Sequence, residues 1–389
     1  MFDRSTIDLG ILKSRAYNSR WATLPEDVIP LTAADPDLPC APEINEAICR
    51  YAKDQYLGYG PYDGMPEFKE SLASYYREKR QVPADPDLIF PVNSAAYGIY
   101  LTCQTILSSG DEAIVFDPVD YLFRYSIEHV GGRATTFSHP PGSGPLDAAK
   151  LEACIGPKTK MICLCNPLNP TGKVFSKNEL QEIGELACKH DLIILSDEIW
   201  SDIIFKPNTY TCISSLDQSI RNRTVTVTGF SKSYGIAGLR IGAVMTSDQE
   251  LYKNLLEASL HKSTIGGANI LGQVAATAAL EECEYWLNDF IAHLEEMKQL
   301  CVQELNSVPG FECIPPQGCY VAFVNVAGTG KSETEIQQIL QDEAKVAVVP
   351  GRPEWFGDNA KDHIRLSFAT SKEILQKALS RINQTIRDL

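Results

Sequence analysis

Residues 160–200 read KMICLCNPLNPTGKVFSKNELQEIGELACKHDLIILSDEIW. The opening Lys160–Cys165 is a short apolar run without polar alternation, the pattern of a strand covered on both faces. Asn166–Gly172 is a turn stiffened by Pro167 and Pro170. Ser176–His190 then carries a helical period. Ser176 and Glu179 form a capping box, and Leu180, Ile183, Leu186 and Ala187 share one face. Leu192–Ser196 is a second buried strand.

Outward from this unit the pattern repeats. Glu112–Phe116 precedes it and Thr224–Thr228 follows, each a short apolar or β-branched run. Strands alternating with helices predict an α/β fold with a mostly parallel, doubly wound sheet. The C-terminal third changes character. Glu284–Asn306 is a long amphipathic helix, followed by strands at Tyr320–Val326, Val346–Val349 and His363–Phe368. Helices are expected at Ser332–Glu343 (again with a capping box) and Ser371–Ile386. We expect an N-terminal arm (1–42), a large domain (43–282) and a small α/β domain (283–389). The arm and the C-terminal third together build the small domain, and no Gly/Ser-rich linker loosens the join.

Composition narrows the function. Thirty-five Lys and Arg against 50 Asp and Glu give a net charge of −15 over 389 residues. That balance disfavours nucleic acid and anionic membrane as partners. No apolar run reaches the roughly 20 residues of a membrane span. The N-terminal MFDRSTIDLG lacks the apolar stretch of a signal peptide, so a cytoplasmic enzyme is expected. The 12 cysteines are scattered without C-x-x-C, and the six histidines are isolated. Neither a disulfide framework nor a metal site is expected.

Three segments carry chemistry, each at the carboxyl end of a predicted strand, where open α/β sheets bind ligands. The first is Asn166–Gly172, holding Asn169 in a rigid turn. The second is Ser196-Asp197-Glu198-Ile199-Trp200, which offers a carboxylate that alone would pass for a helix cap. The third is Gly229–Gly242, with Lys232 just past the strand. A desolvated lysine loses its proton readily and can form a Schiff base. Small residues there let backbone approach a ligand, and Arg240 offers a fork for phosphate.

N-P-x-N-P-T-G, D-E-I-aromatic and S-K-x-x-x-x-x-G-x-R-x-G together resemble the fold type I pyridoxal-phosphate enzymes, specifically the class I/II aminotransferase superfamily, over nearly the whole chain. The resemblance implies that Lys232 holds pyridoxal 5'-phosphate as an internal aldimine, then serves as base and acid at the substrate Cα. It pairs Asp197 with the pyridine nitrogen and Asn169 with the ring hydroxylate. Arg240, Ser231, and the helix N-terminus at Ser94 and Ala95 are assigned to the phosphate. Tyr121 is assigned to stack on the cofactor ring, with Phe123 as a rival because the spacing departs by one residue. Arg365 takes the substrate α-carboxylate. Ala34 and Asp35, in the entrance segment Asp27–Asp37, and Asn169 also face substrate. Tyr59 reaches a neighbouring subunit's phosphate, and Thr264 is a second contact across the dimer, so a homodimer with shared sites is implied.

Two departures bear on reactivity. Gly229 stands where a serine is common, leaving Ser231 or Thr228 to compensate. Trp200 replaces the usual tyrosine, and its indole N–H donates but cannot ionise. The expected reaction on an L-amino acid is transamination. The alternative is β/γ-elimination, or elimination with cyclisation of a hydroxylated, arginine-like substrate. Asp35, Asp37, Asp63 and Asp120 would then ring a cationic side chain. Lys253–Ala275 contains no arginine, which weakens aspartate or glutamate as the donor. A non-catalytic regulator is disfavoured by the intact Lys232 and the lack of a winged-helix segment.

Overall fold

The computed structural model describes residues 7–263 and 265–389. β1 (Ile29–Pro30) is a two-residue strand whose partner lies near the other end of the chain. The large sheet comprises β2 (Ile89–Val92), β3 (Glu112–Asp117), β4 (Arg133–Ser138), β5 (Thr159–Cys165), β6 (Ile193–Asp197), β7 (Thr224–Gly229) and β8 (Gly242–Met245). Among the described residues it has seven strands in the order β2-β8-β7-β6-β5-β3-β4. β8 runs antiparallel to both its neighbours, and the remaining pairs are parallel. β6 and β7 are buried almost end to end, as their unbroken apolar or β-branched runs require.

The crossover helix of the opening stretch spans Lys177–Lys189, with both halves of its capping box formed by Ser176 and Glu179. Ser332 and Glu335 do the same for Glu333–Asp342. One hydrophobic core surrounds the central strands and takes in Ile99, Phe123, Leu180 and Leu255 from the helices. The other runs from Phe68 and Leu72 through Trp200 and Phe230 into Phe290 and Leu294 of the helix Glu284–Asn306. The C-terminal third therefore shares a continuous core with the rest.

That third contributes β9 (Glu312–Cys313), β10 (Val321–Asn325), β11 (Val346–Ala347), β12 (Val349–Pro350) and β13 (His363–Ser367). The order β12-β13-β10-β9 makes an antiparallel sheet. The single strand expected over Val346–Val349 is in fact two. β11 pairs parallel with β1, whereas β12 pairs antiparallel with β13, and the chain changes sheet at Val348. The run is apolar throughout, so nothing in its pattern marks the break.

The N-terminal arm is stitched to these strands. Leu31 N–H donates to the Ala347 carbonyl at 2.9 Å, Ser367 N–H to Leu31 at 2.9 Å, and Asp37 N–H to Ala369 at 3.0 Å. Arg20 and Asp37 form a buried ion pair at 2.5 Å, with Trp21 Nε1 donating to the same carboxylate oxygen at 2.7 Å. This course carries residues 32–35 past the carboxyl edge of the large sheet.

Candidate active site

Register fixes the site. Cys165, the last residue of β5, pairs with Asp197, the last of β6, and Asp197 pairs with Val227 of β7. Asn169, Asp197 and Lys232 therefore leave three adjacent strands at one edge. β13 brings Arg365 across from the other sheet, and Asn169 meets it. Arg365 Nη1 donates to Asn169 Oδ1 at 3.2 Å, and Nη2 to the Thr32 carbonyl at 3.4 Å. Its guanidinium lies 5.1 Å from the Phe356 ring centre. Arg365 Nε is buried without a partner among the described residues.

Lys232 Nζ donates to the Ala34 carbonyl at 2.5 Å and sits 5.3 Å from the Trp200 ring centre. Burial pulls its pKa below the ordinary lysine value, and the Asp35 carboxylate partly opposes that. Asp197 accepts the Ile199 N–H at 3.1 Å. Burial pushes its carboxyl up to about 7; Asp120 and Glu198 add repulsion, and the Ile199 N–H and Lys232 act the other way. A cationic group beside Asp197 would restore its charge.

Ser94 caps the helix Ala95–Ile106, accepting the Tyr97 N–H at 3.1 Å. Gly242 lies against this helix start: a Cβ there would be 2.8 Å from the Ala95 nitrogen. Ser231 is half-buried and Arg240 exposed, both on the connection between β7 and β8. A half-buried amine, a buried acid and a glycine-backed helix start, with Arg240 on the same connection as Lys232, form a donor set that fits pyridoxal phosphate.

Other expectations divide. Tyr121 is 49 % exposed, whereas Phe123 is 1 % exposed in the core, so Phe123 drops out as the stacking ring. Tyr59 is 95 % exposed on this chain's surface. Thr264 lies outside the described residues. Thr228 is buried. Gly229 has room, since a Cβ would meet nothing closer than Ile199 Cδ1 at 3.5 Å.

The ring of carboxylates does not form. Asp37 is engaged by Arg20, Asp63 by Lys69 at 2.9 Å, and Asp120 by Asn169 Nδ2 at 3.0 Å. Asp35 keeps a carboxyl raised by burial near Lys232. Arg20 and Lys69 take up the charges of Asp37 and Asp63, which the sequence leaves unpaired, whereas Asp120 meets only a neutral amide. A cavity of about 690 Å³ opens beside the Asn169 turn, lined by His139, Thr171, Lys173 and Phe323, but by none of Lys232, Asp197 or Arg365.

Sequence reasoning missed a group of supporting residues. Tyr320 OH donates to the same Ala34 carbonyl at 3.1 Å, and its ring meets Trp200 edge-on at 4.7 Å. Ser233, next to Lys232, donates to Asp202 at 2.5 Å, and Asp202 also holds Arg80 and Tyr75. These partners come from distant parts of the chain, so no local spacing announces them.

The sequence profile described as aminotransferase class I and II matches residues 26–382. Aspartate aminotransferases of Pyrococcus abyssi and Bacillus subtilis are each 29 % identical to this chain. The alignments cover 93 % and 92 % of it, and 92 % and 91 % of theirs. The crystal structure of an aromatic aminotransferase from Pyrococcus horikoshii OT3 has a TM-score of 0.87 at 26 % identity, over 94 % of this chain and 97 % of that one. Cystalysin from Treponema denticola, whose structure contains pyridoxal 5'-phosphate, has a TM-score of 0.91. Its 22 % identity, over 100 % and 99 % of the two chains, makes this a likeness of fold.

Proposed function

The chain belongs to the class I and II aminotransferases, and from that premise we propose how its own residues divide the work of transferring an amino group. It is a pyridoxal-phosphate-dependent enzyme acting on an amino acid. When bound, the cofactor supplies a carbon that accepts the amino group and a ring that takes up the electron pair left at Cα.

Lys232, its pKa drawn down by burial, is placed to hold the cofactor and then to take and return the Cα proton. The Ala34 carbonyl receives its Nζ between these tasks. Asp197 would pair with the ring nitrogen, a cationic partner beside it favouring the carboxylate over the buried acid. Asn169 Nδ2 has a second N–H for the ring oxygen, with Trp200 alongside. The N-terminus of the helix at Ser94 and Ala95, with Ser231 and Arg240, holds the phosphate. Arg365, its Nη1 still held by Asn169, offers its remaining N–H groups, the unpartnered Nε among them, for a bidentate grip on the substrate α-carboxylate. Tyr121 would cover the cofactor, and residues 32–35 would help to exclude water.

We divide the chain into the arm (1–42), the large cofactor-binding domain (43–282) and the small domain (283–389). The arm's bonds to β11 and β13 support grouping it with the last. A homodimer follows the same reading, with Tyr59 donated to the partner's phosphate site. Its support is a cluster of large exposed side chains: Tyr56, Leu57, Tyr59, Tyr62 and Ile265. Lys262 lies 5.9 Å from the Tyr62 ring, tying the two segments together. The twelve free cysteines favour a reducing compartment, the cytoplasm. No helix among the described residues is long and apolar enough to cross a membrane.

The observation carrying this reading is the arrival of Asn169, Asp197 and Lys232 at three adjacent strand ends, with Arg365 facing them. Elimination with cyclisation is the weaker reading, because Asp37 and Asp63 are ion-paired to Arg20 and Lys69 within the protein. The absence of arginine from Lys253–Ala275 favours a donor other than aspartate or glutamate. The test mixes the holoenzyme with a panel of amino acids and no keto acid. One equivalent of keto acid per site, with the cofactor left in its amine form, is the expected result. Continued turnover to a dehydrated or cleaved product would overturn it.

A further inference from the structure

Asp120, the residue before Tyr121, has no part in the assignments above, yet it is tied to the Asn169 turn twice. Its backbone N–H donates to the Asn169 carbonyl at 3.1 Å, and its Oδ2 accepts Asn169 Nδ2 at 3.0 Å. Its Oδ1 accepts the Leu122 N–H at 3.2 Å. The far end of the same amide, Asn169 Oδ1, accepts Arg365 Nη1 at 3.2 Å. An amide can be turned to exchange its donor and acceptor ends, but an ionised carboxylate only accepts and a guanidinium only donates. Between these two neighbours a single orientation of Asn169 satisfies both. The reversed amide sets two donors against each other at Arg365 and two acceptors at Asp120. Asn169 is 6 % exposed and Arg365 8 %, so bulk water does not replace a lost partner.

We propose that Asp120 is a positioning residue: by fixing the Asn169 amide it fixes the fork of Arg365 that receives the substrate carboxylate. The proposal rests on the assignment of Arg365 to that carboxylate. Asp120 touches neither the reacting carbon nor its proton. Its contribution lies in keeping a buried guanidinium aimed before substrate arrives, which lowers the cost of ordering on binding.

The test uses holoenzyme and two small probes, read by equilibrium titration of the cofactor's visible absorbance. 2-Aminoisobutyrate carries a carboxylate and has no Cα proton to lose. tert-Butylamine has a methyl group where the carboxylate stands and likewise no Cα proton. Asp120→Ser keeps a hydroxyl oxygen to cap Leu122 but is too short to reach Asn169. It is expected to weaken 2-aminoisobutyrate about tenfold while changing tert-butylamine less than about twofold. Asp120→Asn, which still offers an acceptor, is expected to recover all but about threefold of that loss. Unchanged affinity for 2-aminoisobutyrate in Asp120→Ser, equal weakening of both probes, or an Asn variant no better than the Ser variant each overturn the proposal. Arg365→Ala is run beside them. If it binds 2-aminoisobutyrate like the wild type, the assignment of Arg365 fails, an outcome distinct from failure of Asp120 alone.

Discussion

Asp197 and Lys232 are each pushed by burial toward the neutral form; the acid would regain a use for its charge beside the cofactor, whereas the lysine needs the neutral amine for its role. The acid has the clearer consequence for stability. Its folded pKa of about 7 stands above the ordinary 3.8. Between these values the folded, cofactor-free protein holds a proton that the unfolded chain has lost. Stability of that form therefore falls as pH rises from about 4 to about 7, and levels off above. Cofactor-free Asp197→Asn should exceed wild type by on the order of 2–4 kcal/mol at pH 8, with the difference vanishing near pH 4; urea midpoints across that range measure it. With cofactor bound, the same variant should lose most of its turnover. Lys232→Ala should remove the lysine-bound cofactor's visible band and lower turnover by about a thousandfold or more, read by absorbance and by keto-acid formation. At this scale the sequence is most legible where chemistry follows directly on a strand, as it does for Asn169, Asp197 and Lys232. It is least legible where a side chain finds its use across the fold. Asp120 reads as one of several cleft carboxylates until Asn169 is seen against it, and Tyr320 reads as an ordinary strand residue.

Helix and strand ends set how tightly the cofactor phosphate can be held. Gly242 opens β8 and lies opposite both Val92 and Gly229 in the register. A methyl group there would press on the Ala95 nitrogen and on the Thr228 carbonyl, both at 2.8 Å. Backbone cannot swing aside as a side chain can. Gly242→Ala should thus cost about 1–3 kcal/mol in thermal or urea unfolding and weaken cofactor retention on dialysis. Gly229 contrasts with it, because its nearest would-be contacts lie at 3.5 Å or beyond. Gly229→Ser should fold normally and hold the cofactor tighter by about tenfold or more, the worth of about one hydrogen bond to a charged group; faster cofactor release than wild type would count against the placement of the phosphate here. Elements with a strong period or a capping pair, such as Lys177–Lys189 and Glu333–Asp342, are legible from their residues alone. The division of Val346–Pro350 between two sheets is not, because two-residue strands take their identity from their partners.

At the scale of the molecule, the exposed Tyr56–Tyr62 stretch and Ile265 ask for a covering surface. Light scattering should give a particle of twice the 42.9 kDa chain mass, and Tyr59→Ala should release cofactor faster without changing the fold. A stable, fully active monomer would remove the shared-site reading. The large sheet and its order along the chain are legible in the alternation of strands and helices. The route of the arm is not, since its strand is two residues long and its partner, β11, is equally short. That route has a consequence for how the protein is made. A chain still on the ribosome, grown only to the end of β8, already carries Asn169, Asp197, Lys232 and the helix start at Ser94. It lacks β11, which anchors β1, and β13, which brings Arg365 and clasps Leu31. The lysine of such a nascent chain stays open on the side that residues 32–35 later cover. Only once the residues from Val346 on have been made can the arm settle over the cofactor pocket.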